Sequence, residues 1–362
     1  MTNKASVFLF CSMSILAACG DDRDDSGVLS DGGTRADMAT STDDGGGSGP
    51  GPDAGTVVPG EWVDPNCVDG QYSEAALPVT ADITDLTSNY SSAGADDFII
   101  DVLDRRFPDG TILVENGRMS TSIGDCVDFF VSDRSSANAI IGQMSVITHE
   151  CGHFYDLEES SGRNNFYFIA GDASFTCSNG DTTARFGNTF ARSLIRDDEY
   201  SALRRPCVGD ETNGCDYYAK IYLDGDPTDS TFDSGDQGFN LLMEEAVQYV
   251  NSIATGYAFE QELTSGGRRI SERDGILTFL WYIERYLKLA RTDYPDAYSF
   301  ILGNECWREL ILTVWGRAWL YLGLTEDANG LGINDDLLEG FVSDPDLLAE
   351  IERVREAQGC GQ

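Results

Sequence analysis

The chain has two histidines, and both fall in one stretch, Val146-Ile147-Thr148-His149-Glu150-Cys151-Gly152-His153-Phe154-Tyr155-Asp156. On an α-helix, positions i and i+4 share a face, one turn apart. His149 and His153 placed so could hold one Zn²⁺ between their imidazoles. Glu150 would stand beside the ion, where it can take a proton from water. The preceding residues 137–147 are mostly apolar and would bury such a helix. Cys151 does not share the histidine face, so it is expected to be buried or disulfide-bonded rather than a ligand.

A zinc site that does chemistry has three protein ligands and one open position. No third histidine exists, so a carboxylate must complete it. Glu244 and Glu245 lie on residues 237–254, a mostly apolar stretch read as a helix, where an acid is costly unless paired or metal-bound. At 100° per residue its apolar side centres on Leu242, Ala246, Tyr249, Val250 and Ile253. Glu245 falls at the edge of that stripe and is the preferred ligand. Glu244 is expected to point further toward solvent and is the fallback, with Asp156 or Asp172 as other acids that could serve. Asp156, one turn past His153, is expected either to orient a ligand or fix the next loop, or to be a cap or surface acid. A second donor to an oxyanion would have to be Tyr or Arg, and Tyr249 and Tyr257 lie close to the Glu pair in sequence.

The surrounding elements must hold these residues. Residues 96–107 read as an amphipathic helix stopped by Pro108-Asp109-Gly110. Residues 111–114, 128–131 and 165–169 read as short strands. Residues 171–238 are irregular and read as a disulfide-stapled insertion. Within it, residues 223–230 space their Asp residues somewhat like a Ca²⁺ loop but lack the Gly and Glu that such a loop needs, so a surface turn is expected. Residues 237–254, 276–290 and 310–322 read as helices whose aromatic and Leu stripes pack a core. Residues 336–338 and 347–351 close the chain. The fold class expected is α+β: a small mixed sheet before and beside the histidine helix, then a helical C-terminal lobe, with a cleft between them.

The 362 residues carry 24 Lys+Arg against 62 Asp+Glu, a net charge of -38. Such acidity speaks against a nucleic-acid partner, which needs a basic surface. Residues 1–18 read as an export signal, with Lys4 ahead of an apolar core too short to span a membrane. Residues 19–61 are rich in Asp, Gly and Pro and read as a flexible acidic tether, leaving residues 62–362 as the folded part, expected as a monomer. Ten cysteines are present, two of them, Cys11 and Cys19, in or beside the leader. The remaining eight allow up to four disulfides in an exported protein, with Cys207 and Cys215 the best candidates for a local pair.

Two resemblances add to this reading. Leu16-Ala17-Ala18-Cys19 resembles the lipobox of bacterial lipoproteins. That implies cleavage before Cys19, lipidation of Cys19 and a lipid anchor in the cell envelope; Gly20 after it leans toward the outer membrane or cell surface. His149-Glu150-x-x-His153 with a Glu on a later helix is similar to the gluzincin metallopeptidases, and the run through Asp156 resembles the anthrax-lethal-factor-like peptidases. The resemblance implies a zincin-like fold, Zn²⁺ as cofactor, a peptide or protein substrate and Glu150 as the catalytic base. It covers a small part of the chain. It departs in the long gap between His153 and the Glu pair, and at Gln248 or Tyr249, where gluzincins often carry an acid. Two other readings stand beside it: a non-catalytic zinc-binding surface lipoprotein, and a structural envelope lipoprotein whose histidine pair is incidental.

Overall fold

The computed structural model describes residues 62–178, 188–197 and 216–360. The leader, the tether, Cys19 and the Cys207/Cys215 pair lie outside the described residues. Within them the chain is mainly helical, with one two-stranded antiparallel sheet. None of the described helices is long and apolar enough to cross a membrane.

Helix α1, Ala95–Arg106, has acids in its first turn and arginines in its last, which complements the helix dipole. It buries Phe98, Ile99, Val102 and Leu103 on one side. The helix ends at Arg106, and Phe107 is non-helical just ahead of Pro108, as expected of a residue before proline, but Pro108 also has a second role. It opens a second helix, α2, Pro108–Arg118, at the position where a missing N–H costs nothing. Residues 111–114 are therefore helix and not strand. Gly110, Leu113, Val114 and Gly117 are buried at helical spacing, whereas a four-residue apolar window had suggested a strand. Residues 128–131 are a correction of the same kind. The Asp125 carboxylate accepts the Val127 N–H at 2.9 Å and caps a short helix, α3, Cys126–Phe130.

After a five-residue helix, α4, Ala137–Ile141, the histidine motif occupies α5, Met144–Glu159. A Cβ at Gly117 would fall 2.4 Å from the Cys151 carbonyl oxygen, so α2 and α5 meet backbone to backbone. The Cys126–Cys151 disulfide ties α3 to the same point. Closing a loop of 25 residues, this bond constrains the unfolded chain. Cys126→Ser with Cys151→Ser is expected to lower unfolding free energy by about 3 kcal/mol in denaturant titration.

The sheet follows α5 instead of preceding it, and it is antiparallel and not mixed. Strand β1, Asn164–Ala170, contains the expected strand 165–169. It pairs with β2, Ala173–Ser178, in the register Asn164↔Ser178, with a bulge between Phe168 and Ala170. In residues 223–230, Asp226 accepts the Thr228 N–H at 2.8 Å, the local bond of a turn.

The C-terminal half holds α6, Phe239–Ala258; α7, Glu272–Asp293; α8, Pro295–Gly303; α9, Glu305–Leu324; α10, Asp335–Val342; and α11, Pro345–Gln358. Helix α6 is central: it packs against α5, α7 and α9 and is buried on nearly every side. Cys177–Cys306 joins β2 to α9, and Cys67–Cys360 joins the two ends of the described chain. Beside that last bond Arg355 donates to Asp69 at 3.1 Å and to the Trp62 carbonyl at 2.8 Å. Three disulfides point to an oxidising, extracytoplasmic location.

One core residue gives a pH test. Glu284 on α7 is fully buried, and neither carboxyl oxygen has a hydrogen-bond partner among the described residues. Burial, with Asp344 and Glu350 nearby, raises its pKa well above the ordinary value. Above about pH 4.3 the unfolded chain releases this proton while the folded chain keeps it, so stability falls as pH rises toward the folded pKa. Glu284→Gln is expected to remove a slope of up to about 1.4 kcal/mol per pH unit. Chemical denaturation at pH 5 and pH 8 should show the variant gaining on the parent at the higher pH.

Candidate metal centre

Helices α5 and α6 face each other across a polar seam. Thr148, His149, Gly152, His153 and Asp156 on α5 meet Glu244, Glu245, Gln248, Ser252 and Thr255 on α6. The helices approach closely because Gly152 has no side chain: a Cβ there would lie 1.9 Å from Gln248 Oε1. Thr148 and Thr255 join hydroxyls at 2.7 Å one turn further along.

The direction of each hydrogen bond can be worked out. The Ser252 hydroxyl donates to the Gln248 carbonyl at 3.1 Å, so it accepts from His149 Nδ1, 3.0 Å away. His153 Nδ1 donates to Glu244 Oε2 at 2.5 Å. Both rings thus carry a hydrogen on Nδ1, which leaves the Nε2 of each for a shared proton or a metal. These two Nε2 atoms face one another at 3.0 Å. Glu245 Oε2 lies 3.7 Å from His149 Nε2 and 3.5 Å from His153 Nε2, and it is buried with no hydrogen-bond partner among the described residues. Two ring nitrogens and a carboxylate oxygen converging in a buried space need positive charge among them, from a proton in the metal-free site or from a bound cation.

A metal fits this arrangement. Two imidazole nitrogens and a carboxylate oxygen in tetrahedral array, each about 2.0–2.2 Å from zinc, sit about 3.3 Å apart. The three separations, 3.0, 3.5 and 3.7 Å, bracket that spacing. His149, His153 and Glu245 are the one such group among the described residues. The protonation tendencies of the bare site agree with a demand for positive charge. Burial lowers the His149 pKa. Burial acts on His153 in the same sense, but Glu244 and Glu245 outweigh it and hold that ring well above the ordinary histidine value. Burial raises Glu245, and His153 and His149 more than reverse this, leaving it below the usual carboxylate range.

The other expected residues fall as follows. Glu150 is buried beside the cluster, with Oε1 unpartnered, and burial pushes its pKa up to about 8. Glu244 does not point to solvent: it is 7 % exposed and holds His153. A face assigned by apolar periodicity placed it outward, but α6 has no solvent side there. Asp156 is no surface acid. It accepts the Phe168 N–H at 3.0 Å and Gln248 Nε2 at 2.9 Å, fixing β1 to α5. Asp172 is exposed on the β1–β2 turn, away from the cluster. The Tyr249 ring lies against His149 with centroids 4.7 Å apart, while its hydroxyl meets that of Tyr222 at 2.8 Å. Tyr257 packs toward Tyr321.

Sequence reading missed Ser252 and Arg192. Ser252 shared a detectable signal with Gln248 and Asn251: polar residues recurring at helical spacing along an apolar helix. Arg192 had none. It is fully buried, its Nε donates to the Tyr222 carbonyl at 2.8 Å, and its Nη1 has no partner among the described residues. Its charge helps to lower the Glu245 pKa.

No family model matches the chain, and neither does any curated protein or solved structure.

Proposed function

We propose that the chain is a zinc-dependent endopeptidase of zincin type, with His149, His153 and Glu245 as ligands and Glu150 as general base. The observation that carries this reading is the pair of Nε2 atoms 3.0 Å apart beside a buried carboxylate oxygen that has no hydrogen-bond partner among the described residues. Bound there, zinc supplies a Lewis acid that acidifies water and polarises a carbonyl. Glu150 takes the proton of the attacking water and returns it to the leaving amine. Glu244 and Ser252 hold the two imidazoles in the tautomer that presents Nε2. Arg192, a buried cation with one N–H unpartnered among the described residues, stabilises negative charge on the Glu245 side of the site. The Cys19 motif and the acidic tether support a lipid-anchored protein of the bacterial envelope that acts on envelope or extracellular proteins.

The depth of the cluster supports a second reading, in which the metal braces α5 to α6 without turnover. His149, Glu150 and Glu245 are each no more than 2 % exposed. Elemental mass spectrometry on the folded, oxidised protein, followed by a peptide-library cleavage assay on the same sample, separates the two. Stoichiometric zinc with chelator-sensitive cleavage supports the enzyme. Zinc without cleavage supports the brace. No zinc after reconstitution sinks both.

A further inference from the structure

His153 stands at one end of a series of four hydrogen bonds that begins at Arg317 and passes through Asn251, Gln248 and Glu244. Arg317 on α9 is 1 % exposed, and its Nη1 donates to Asn251 Oδ1 at 2.7 Å. A guanidinium can only donate, so the Asn251 amide is oriented with its oxygen toward Arg317. Its Nδ2 must then face the other way, and it donates to Gln248 Oε1 at 2.9 Å. This in turn fixes the Gln248 amide. Its Nε2 donates to Asp156 Oδ2 at 2.9 Å and reaches Glu244 Oε1 at 3.4 Å. Glu244 is left with Oε2 toward His153 Nδ1. Asn251 and Gln248 are both fully buried, so no solvent competes for these bonds. At the far end Arg317 Nε donates to Glu74 at 2.9 Å, which balances the buried charge and anchors the series to the segment near the Cys67–Cys360 bond.

Resting on the zinc reading above, we infer that Arg317, Asn251 and Gln248 are positioning residues that polarise one hydrogen-bond series so that Glu244 holds His153 with its Nε2 toward the metal. Each amide in the series is flippable, since either end of Asn or Gln fits the same space. Arg317 removes that ambiguity. His149 lies outside the series, because Ser252 holds it through a hydroxyl bonded to backbone. The inference therefore separates the two histidines, and a general loosening of the fold would not.

Asn251→Asp is the test. The new carboxylate still accepts from Arg317 but cannot donate to Gln248. The Gln248 amide should turn its nitrogen to residue 251 and its oxygen toward Asp156 and Glu244, where acceptors already stand. Zinc affinity, read by chelator competition, is expected to fall about 10–100-fold. In the zinc-loaded protein, the ring ¹⁵N signals of His153 should shift while those of His149 stay. With only two histidines in the chain, both patterns are assigned by single replacement. Gln248→Met, which keeps the volume and removes both N–H groups, should give the same selective effect and decides the matter if Asn251→Asp does not fold. Arg317→Lys, a donor without an acceptor, should keep zinc affinity within a few-fold of the parent. Folded variants with parent zinc affinity and unmoved His153 signals would overturn the inference. So would equal shifts at both histidines. A parent that takes up no zinc overturns the metal reading and this inference with it, a result distinct from a zinc-binding parent whose variants all match it.

Discussion

Glu150→Gln is expected to keep zinc at parent affinity and to lose proteolysis by about 10²–10⁴-fold. The amide matches the carboxyl in shape but accepts no proton, so the attacking water loses its base. Metal uptake should survive, because Glu150 is not one of the three converging donors. The fold should survive as well. Burial, with Glu245 and Glu244 nearby and against His153, pushes this carboxyl up to about 8, so the folded protein already accommodates an uncharged group at that place. Zinc content, thermal unfolding and peptide cleavage on one preparation make the comparison. Cleavage at parent rate with zinc bound would remove Glu150 from the chemistry and leave the metal as a brace.

Glu245→Ala and Glu244→Ala should both weaken zinc binding, and by amounts that rank them. Removing a residue that holds a ligand in place costs about 10–100-fold in metal affinity. Glu244→Ala is expected in that range, since it removes the acceptor of His153 Nδ1 and leaves the three donor atoms present. Glu245→Ala removes one donor and should exceed about 100-fold. Chelator competition measures both. The reverse order would transfer the ligand role to Glu244 and require the His153 ring to turn over.

The histidine motif was legible because its chemistry depends on spacing within one helix, and α5 delivers that spacing. Glu245 was legible by argument: an acid on an apolar helix needs a partner, and the partners proved to be the two imidazoles. Glu244 was misread for a reason internal to the same argument. Apolar periodicity finds the inner face of a helix that has an outer face, whereas α6 is enclosed by α5, α7 and α9. The polar side chains of α6 mark a second buried face, satisfied by hydrogen bonds instead of by solvent. Short apolar windows misled in another way. Residues 111–114 and 128–131 look the same as strands over four positions, and only Pro108 at a helix start and Asp125 as a cap reveal the helices. Pairings between distant segments, such as Cys67 with Cys360, have no local signal at all.

That last pairing has a mechanical consequence. The first described residues and the end of α11 are riveted together by a covalent bond, with Arg355 gripping Asp69 and the Trp62 carbonyl beside it. A force applied through the chain ahead of Trp62 therefore passes into Cys67 and across to Cys360. It loads α11 in place of peeling residues 68–77 away from α9. The α5–α6 seam lies off this load path. A domain hung by its front end from a moving surface would keep its histidines in register while the rivet held, and reduction of that bond would pass the load to residues 68–77.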